Sequence, residues 1–424
     1  MSIIVAFLVS LLGFTFIGVP IAFGIGLTSL ITMFLLEMDM PSILARRFVT
    51  GIDIYTLMAI PFFMLAGEIM NKAGIVKDLL KFTNAIIGRI RGGLAYVNVL
   101  ASMFFAGISG SAVADTSAIG SLIIPMMEEN GYDKKFSTAI TSSSAIIGVI
   151  IPPSIPMIIV GSIAQISVAR LFLGGMIPGI LIGLGLMLYC YYISKKRNYP
   201  IGEKITFKQF LNVLKTTIWA LILPGIILVG IIGGFFTATE AGVIAVVYAI
   251  VISFVFYGVK LKDYPNILRE ACLNTGIVML VCASAMALTW FLGVAQVPQN
   301  LSNFLLSISD NKLLFLFFIN VILFLVGMVV DLTPALFLLV PILLPVSLNY
   351  GIDPIHFSII MVANLSVGLI TPPVGTVLYV ATSISKLKLE QLIKEMLPMY
   401  IILFILLLII TYLPIVVLWL PSLI

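Results

Sequence analysis

Apolar residues run along this chain in long blocks, at 3–36, 155–168, 171–193, 221–236, 241–257, 275–294, 313–330 and 400–420. Polar residues gather in the short stretches between them. Several blocks reach the roughly 20 residues that a helix needs to cross the hydrocarbon core of a bilayer. The short alternating segments of a membrane β-barrel are missing. The pattern therefore predicts an all-α polytopic membrane protein, a class that fits the 61% hydrophobic and 10% charged composition. Residues 92–127 depart from the rule. They are apolar but dense in small and polar side chains, reading GISGSAVADTSA from Gly107 to Ala118.

A second departure is a repeat. Residues 131–156 return in register at 351–376, offset by 220. Gly131 and Asp133 return as Gly351 and Asp353, Ile140 as Ile360, Gly148 as Gly368, Ile150 as Ile370, and Pro152-Pro153 as Pro372-Pro373. A Gly-x-x-x-Pro-Pro run cannot stay helical, because proline lacks the N–H and clashes with the preceding turn. One such break in each half, at matching positions, is the pattern of a transporter site built from discontinuous helices.

Charge sets the topology. Basic residues cluster at 72–91, with five Lys/Arg, at 195–215, with six, and at Lys386, Lys388 and Lys394. The positive-inside rule places all three in the cytoplasm, with Lys260, Lys262 and Arg269 beside them. The signs agree only if residues 93–126 form a re-entrant helical hairpin, tip near 109–116, rather than a crossing. Residues 136–167 then cross outward through the Gly148–Pro153 break. In the mirror image, a hairpin at 312–346 enters from outside, tip near 327–334, and residues 357–385 cross inward through the second break. The expected fold is thus two inverted-topology repeats, each with a re-entrant hairpin and a broken transmembrane helix. Irregular backbone at membrane depth needs cover from protein or water, which two tips meeting two breaks would supply. Residues 198–215 read as the cytoplasmic connector between repeats, amphipathic through Phe207, Phe210, Leu211 and Leu214. The net charge of +5 sits in loops and points to no nucleic acid.

The breaks also carry candidate chemistry. Unpaired carbonyls near 148–151 and 368–371 suit a hard cation, and the N–H groups after the prolines suit an anion. Ser109, Ser111 and Thr333 near the tips, and Ser144 and Asn364 one turn before each break, could add ligands. Asp115 and Asp331 stand at the tips, either as helix N-caps or as direct ion ligands; intramembrane acids are costly enough to be functional by default. Glu68 and Glu240 either line a path or make structural hydrogen bonds, the second being favoured; Arg46-Arg47 read as snorkelling to an interface, with contact to a partner as the alternative, and Cys190, Cys272 and Cys282 as packing residues. The one histidine, His356, reads as a solvated or interfacial loop residue.

In combination, the runs at 107–125, 148–156, 237–241, 327–345 and 368–375 resemble the large membrane subunit of TRAP transporters, the tripartite ATP-independent periplasmic type, across essentially the whole chain. Within that family the likeness is to subunits importing N-acetylneuraminate (sialic acid). The resemblance implies an elevator-type transporter in the bacterial inner membrane, with a transport domain of hairpins and broken helices sliding against a scaffold. It implies a separate small membrane subunit of about four helices, a periplasmic substrate-binding protein, and coupling to Na+ at two or more sites. Carried onto this chain, one sodium site uses Ser109, Ser111, Gly148, Ile151 and Pro153. The other uses Asp331, Thr333, Gly368 and Thr371. A small carboxylated solute, sialic acid first and otherwise a C4-dicarboxylate or another organic acid, would meet Ser111, Asp115, Ser154, Asn364 and Thr376.

The expected partition is scaffold 1–92, transport elements 93–170, connecting and scaffold helices 171–310, transport elements 311–386 and a C-terminal helix 387–424. Three rivals stand beside the sodium-coupled importer. Gly107-Ile-Ser109-Gly110 contains the short G-x-S-G pattern of an intramembrane serine protease, which needs a histidine base. Asp115 and Asp331 could serve an aspartyl membrane protease. A passive channel can also be built from inverted repeats.

Overall fold

The computed structural model describes residues 2–38, 41–202, 205–308 and 310–424. Lys204, in the second basic cluster, lies outside them. Among the described residues the chain is helical, and its β pairing is one isolated bridge of Arg91 with Ile201. Among the described residues, six helices are long and apolar enough to cross a membrane: Val168–Lys196, Phe207–Ile232, Ala238–Val255, Leu261–Val294, Leu332–Asn349 and Leu389–Tyr412. A seventh span arises if Pro41–Ile52 and Tyr55–Lys72, bent by 60° at Asp53-Ile54, count as one.

The repeat extends far beyond the matched sequence. Ala112–Glu129 and Leu332–Asn349 begin and end 220 residues apart. At the same offset, to within a few residues, Gly93–Ser109 answers to Lys312–Gly327, Lys134–Ala145 to Pro354–Gly368, Ile155–Ala164 to Thr376–Ser385, and Val168–Lys196 to Leu389–Tyr412. Ile21–Leu35 and Ala238–Val255 correspond likewise, as do Ile75–Ile87 and Val297–Ile308. The bent pair of the first half answers to the unbroken Tyr264–Val294 of the second.

Both hairpins fold back on themselves. The Leu94 N–H, near the start of the first, donates to the Tyr132 hydroxyl just past its end at 3.2 Å. In the second, the Phe315 and Tyr350 rings stack at 4.2 Å and Lys312 donates to the Gly351 carbonyl at 3.2 Å. Helix Leu389–Tyr412 shows that they open in opposite directions. Near its start, Glu395 pairs at 2.6 Å with Arg197, which also meets Asp133 at the base of the first hairpin at 3.6 Å. Near its end, the Ile410 carbonyl meets His356 at 2.9 Å and Tyr412 donates to the Leu313 carbonyl at 3.3 Å, at the base of the second. The two contact points are about fifteen residues apart, roughly 22 Å along a helix. The first of these ends also carries the basic clusters: Arg91 donates to Asn198 at 3.1 Å and Gly92 N–H to the Pro200 carbonyl at 2.9 Å.

The arms are too short to span. Gly93–Ser109 and Lys312–Gly327, with 17 and 16 residues, reach roughly 25 Å against a core of about 30 Å. The halves of the broken helices are shorter still, so their ends lie at depth. The repeats interlock there: Ile155–Ala164 packs along Leu332–Asn349, and Thr376–Ser385 along Ala112–Glu129. Val168–Lys196 and Leu389–Tyr412 pack on the hairpins and broken helices, while Ile21–Leu35, the bent pair, Ala238–Val255 and Tyr264–Val294 pack on one another.

Several local expectations need correction. His356 is not a loop residue. Asp353 accepts the Ile355 and His356 N–H groups at 2.8 and 3.2 Å, Pro354 opens the helix, and His356 is buried in its first turn. Cys190 and Cys282 are buried, but Cys272, on Tyr264–Val294, is exposed and does not pack. The amphipathic part of the connector is no separate element. Thr206 and Gln209 form a capping box there, so 207–214 are the first turns of Phe207–Ile232. Arg47 covers the Trp290 ring at 4.6 Å, a cation–π contact that adds to the expected interfacial placement without deciding it.

Candidate functional site

The first hairpin turns at Gly110, whose φ of 62° lies in the left-handed region that glycine takes without strain. Ser111 is extended, caps the next arm and accepts the Ala114 N–H at 3.4 Å. The Ser109 hydroxyl bridges the turn, donating to the Ser111 carbonyl and accepting its N–H, both at 3.2 Å. This tip sits on the first break: a Cβ at Gly110 would stand 3.2 Å from both the Pro153 carbonyl oxygen and the Ile155 nitrogen.

Asp115 is therefore not the cap. It lies one turn further along, fully buried, and neither carboxylate oxygen has a hydrogen-bond partner among the described residues. The Ser109 hydroxyl, within reach, is turned to the Ser111 carbonyl instead. The carboxylate rests directly on Gly148, where an added Cβ would run into it. A bare buried carboxylate beside the carbonyl end of a half-helix is unfavourable unless a cation or proton joins it.

The first break is closed locally. The Ile150 and Ile151 N–H groups both turn back to the Ile147 carbonyl, at 3.0 and 2.9 Å. Ser154 is buried and spent on the break itself, donating to the Val149 carbonyl at 2.5 Å and accepting the Met157 N–H at 3.3 Å. Ile151 packs on Gly179 of Val168–Lys196. Gly148 and Pro153 thus face the hairpin, through Asp115 and Gly110, while the Ile151 side chain faces away from it.

The second break is built differently. Gly368 lies against the backbone of Gly327, too close for any Cβ. The Val374 N–H crosses to the Met328 carbonyl at 3.1 Å, and the Ile370 carbonyl is taken by the Tyr400 hydroxyl at 2.6 Å. The Thr371 hydroxyl turns back to the Val367 carbonyl at 2.7 Å. Asp331 does occupy an N-cap position, and its Oδ1 accepts the Thr376 hydroxyl at 3.1 Å. Asn364 donates to Asn320 Oδ1 at 2.6 Å, an oxygen that also accepts from Thr411 at 3.1 Å. That network lies between helices, away from the cavity. Ser144 is likewise tied to Ser102, at 2.9 Å.

Both tips and both breaks meet at one place. A cavity of about 100 Å³ is lined by Gly110, Ser111, Asp331 and Thr333 from the tips and by Val149 and Leu369 from the breaks. It adjoins a larger one, about 480 Å³, where Ser109, Ser111 and Ser117 face Glu68 and Asn71 of Ala59–Lys72 and Asn274 of Tyr264–Val294. Glu68 therefore lines open space, the less favoured of its two readings; the sequence cannot choose between them, because the choice depends on where the tip lands. Glu240 is structural, completing a capping box with Thr237 at 2.8 and 2.9 Å. No group of three His, Cys, Asp or Glu converges among the described residues. The donors available are carbonyls, hydroxyls and single carboxylates, the oxygen set of a hard cation.

From residue 8 to residue 416 the chain matches the family described as tripartite ATP-independent periplasmic transporter, DctM component. It belongs to that family. The large permease protein of the 2,3-diketo-L-gulonate TRAP transporter of Escherichia coli is 40% identical over 97% of each chain. That of the sialic acid TRAP transporter of Vibrio cholerae is 37% identical, again over 97% of each. The isethionate TRAP permease DctMQ of Oleidesulfovibrio alaskensis is 40% identical over 95% of this chain but 64% of its own length. In fold the chain is similar to the YdaH transporter of Alcanivorax borkumensis, with TM-score 0.62 and 14% identity over 87% of this chain and 86% of that one. The TRAP large subunit is thus a multi-pass inner-membrane transport protein, not an enzyme. The structure agrees: His356, the base a serine protease would need, is held at the base of the second hairpin and not at Ser109. The narrower likeness to sialic acid importers is not singled out, since relatives named for other solutes are as similar.

Proposed function

We propose that this TRAP large subunit imports a small carboxylated solute by sodium-coupled secondary transport, with the hairpins and broken helices moving as a unit in an elevator mechanism. The observation that carries the reading is Asp115, a buried carboxyl group whose nearby Ser109 hydroxyl is turned to the Ser111 carbonyl, pressed on Gly148 at the end of a half-helix. A sodium ion there would be held by that carboxylate, by Ser109 or Ser111, and by carbonyls of the 148–153 break. The second site would draw on Asp331, Thr333, Thr371 and the carbonyls after Gly368. Carboxylated solutes are supported by relatives named for sialic acid, C4-dicarboxylate and diketogulonate.

Coupling follows from differential affinity. A cation at a break fixes the adjoining tip, and the tip completes the wall of the solute cavity, so each ligand stabilises the arrangement the other needs. A small membrane subunit and a periplasmic binding protein complete the tripartite assembly, the first docking on the scaffold and the second delivering solute. Uptake into proteoliposomes at fixed voltage tests the proposal: it should vanish when the sodium gradient is collapsed. Uptake indifferent to sodium would leave the passive-channel reading standing.

A further inference from the structure

The wall of the solute cavity opposite the first hairpin tip holds an acid and two amides, and among the described residues no lysine or arginine lines the cavity. Glu68 stands half-buried there, with no hydrogen bond or ion pair to the protein among the described residues. The charges near enough to act on it are Lys72, one helical turn on, and Glu270, of opposite sign to each other. Asn71 and Asn274 flank it, and Ser109, Ser111 and Ser117 face it from the hairpin. The adjoining smaller cavity brings a second carboxylate, Asp331. Such a lining has a definite preference. It accepts hydrogen bonds strongly at Glu68 and offers neutral donors and acceptors around it. A second negative charge on the solute would sit next to Glu68, where the neighbouring cation Lys72 is outnumbered by Glu68 and Glu270, and like charges at close quarters in a poorly hydrated cleft are costly.

We infer that Glu68 is a specificity-determining residue that accepts hydrogen bonds from hydroxyl groups of the solute, so that this transporter takes a monoanionic, polyhydroxylated acid and rejects a dicarboxylate. The inference rests on the transport reading above and narrows its solute class. The carboxylate of the solute faces the hairpin side, where a bound cation offsets its charge and Ser109 and Ser111 stand. Its hydroxylated end faces Glu68, Asn71 and Asn274. A charge-assisted hydrogen bond from hydroxyl to carboxylate is stronger than one between neutral groups, and an unpaired Glu68 penalises any solute that brings no donor. Several hydroxyls suit this wall better than a single ammonium group, because its acceptors are spread over two scaffold helices and the hairpin and are not focused on one point.

The test is solute binding to the purified large subunit, assembled with its small partner subunit, in the presence and absence of sodium. The probes are gluconate and galacturonate for the hydroxylated monoanions, succinate for the dicarboxylate, and glutamine for the zwitterion. The wild type should bind at least one hydroxylated acid at least about tenfold more tightly than succinate or glutamine, a gap of about 1.4 kcal/mol. Glu68→Gln should weaken the hydroxylated acid about tenfold and strengthen succinate, collapsing the ratio, while Glu68→Asp restores part of it. Asn274→Leu should weaken the hydroxylated acid alone. Folding defects would lower all probes together, so the ratio separates selectivity from stability. Preferential binding of succinate or glutamine by the wild type overturns the inference, as does an unchanged ratio in Glu68→Gln or failure of both hydroxylated acids to bind. Binding of any probe that ignores sodium counts instead against the sodium-coupled reading, whatever the ratio shows.

Discussion

The two helix breaks share a backbone plan and differ in what fills the gap beside the hairpin. At the first, a carboxylate is inserted: Asp115 lies on Gly148 with no hydrogen bond to either oxygen. At the second, the position answering to Asp115 is Ala335, and backbone meets backbone at Gly327 and Gly368. The second hairpin carries its carboxylate four residues earlier, at Asp331, where the first has Ser111, and there it is engaged by Thr376. The Ile370 carbonyl is also taken, by Tyr400. The lesson is that one architecture serves two electrostatic tasks. The first break leaves a buried carboxyl group without a protein partner; the second satisfies much of its polarity internally and presents Asp331 and Thr333 to the shared cavity.

Substitutions can break that contrast. Gly148→Ala drives a methyl group into the Asp115 carboxylate, and sodium-dependent uptake should fall at least about a hundredfold, equivalent to roughly 2.7 kcal/mol at the site. Uptake in proteoliposomes with protein levels matched reads this out, and near-normal rates would dissociate Gly148 from the ion. Asp331→Ala should have the next largest effect, weakening the apparent affinity for sodium about tenfold through loss of one charged ligand. A sodium titration of initial uptake rates checks it, and an unshifted curve would remove Asp331 from ion binding. Gly368→Ala should act on packing before chemistry. Its methyl group meets the Gly327 backbone, which cannot step aside, at a cost of about 1–3 kcal/mol. The measurement is a lowered thermal midpoint in detergent, greater than that for Gly276→Ala, where a Cβ meets nothing within 4 Å. Tyr400→Phe should have the smallest effect, about 1 kcal/mol for a carbonyl left without its donor, seen as a small fall in midpoint with sodium affinity kept.

Much of this arrangement is legible in the amino-acid sequence, and the exceptions have physical causes. The double-proline runs and the charge clusters locate both breaks, both hairpins and their opposed directions, because proline and lysine carry their constraint wherever they stand. The hairpin tip also falls where expected, at Gly110-Ser111 within the interval 109–116. The cap is harder. Ser111 and Asp115 are both good N-cap residues, and what separates them is the close seat of Gly110 on Pro153, a tertiary contact. The place of His356 is legible in principle: an Asp followed by Pro is a helix-start signal, and it outweighs the polar surroundings that suggest a loop. Glu68 is not legible as a cavity residue, since its neighbours Ser109, Ser111 and Asn274 come from distant segments. The repeat itself is faint in residues outside 131–156 yet regular in helix bounds, because helix length and packing survive substitutions that erase identity.

The central claim is that the unpartnered Asp115 carboxylate binds the coupling ion at the first break. The deciding measurement is a sodium titration of solute uptake at fixed voltage, comparing the wild type with Asp115→Asn, which keeps the shape of the side chain and removes its charge. Saturable activation by sodium is expected in the wild type, with a curve displaced at least about tenfold to higher sodium in the variant. Superimposable curves would contradict the claim.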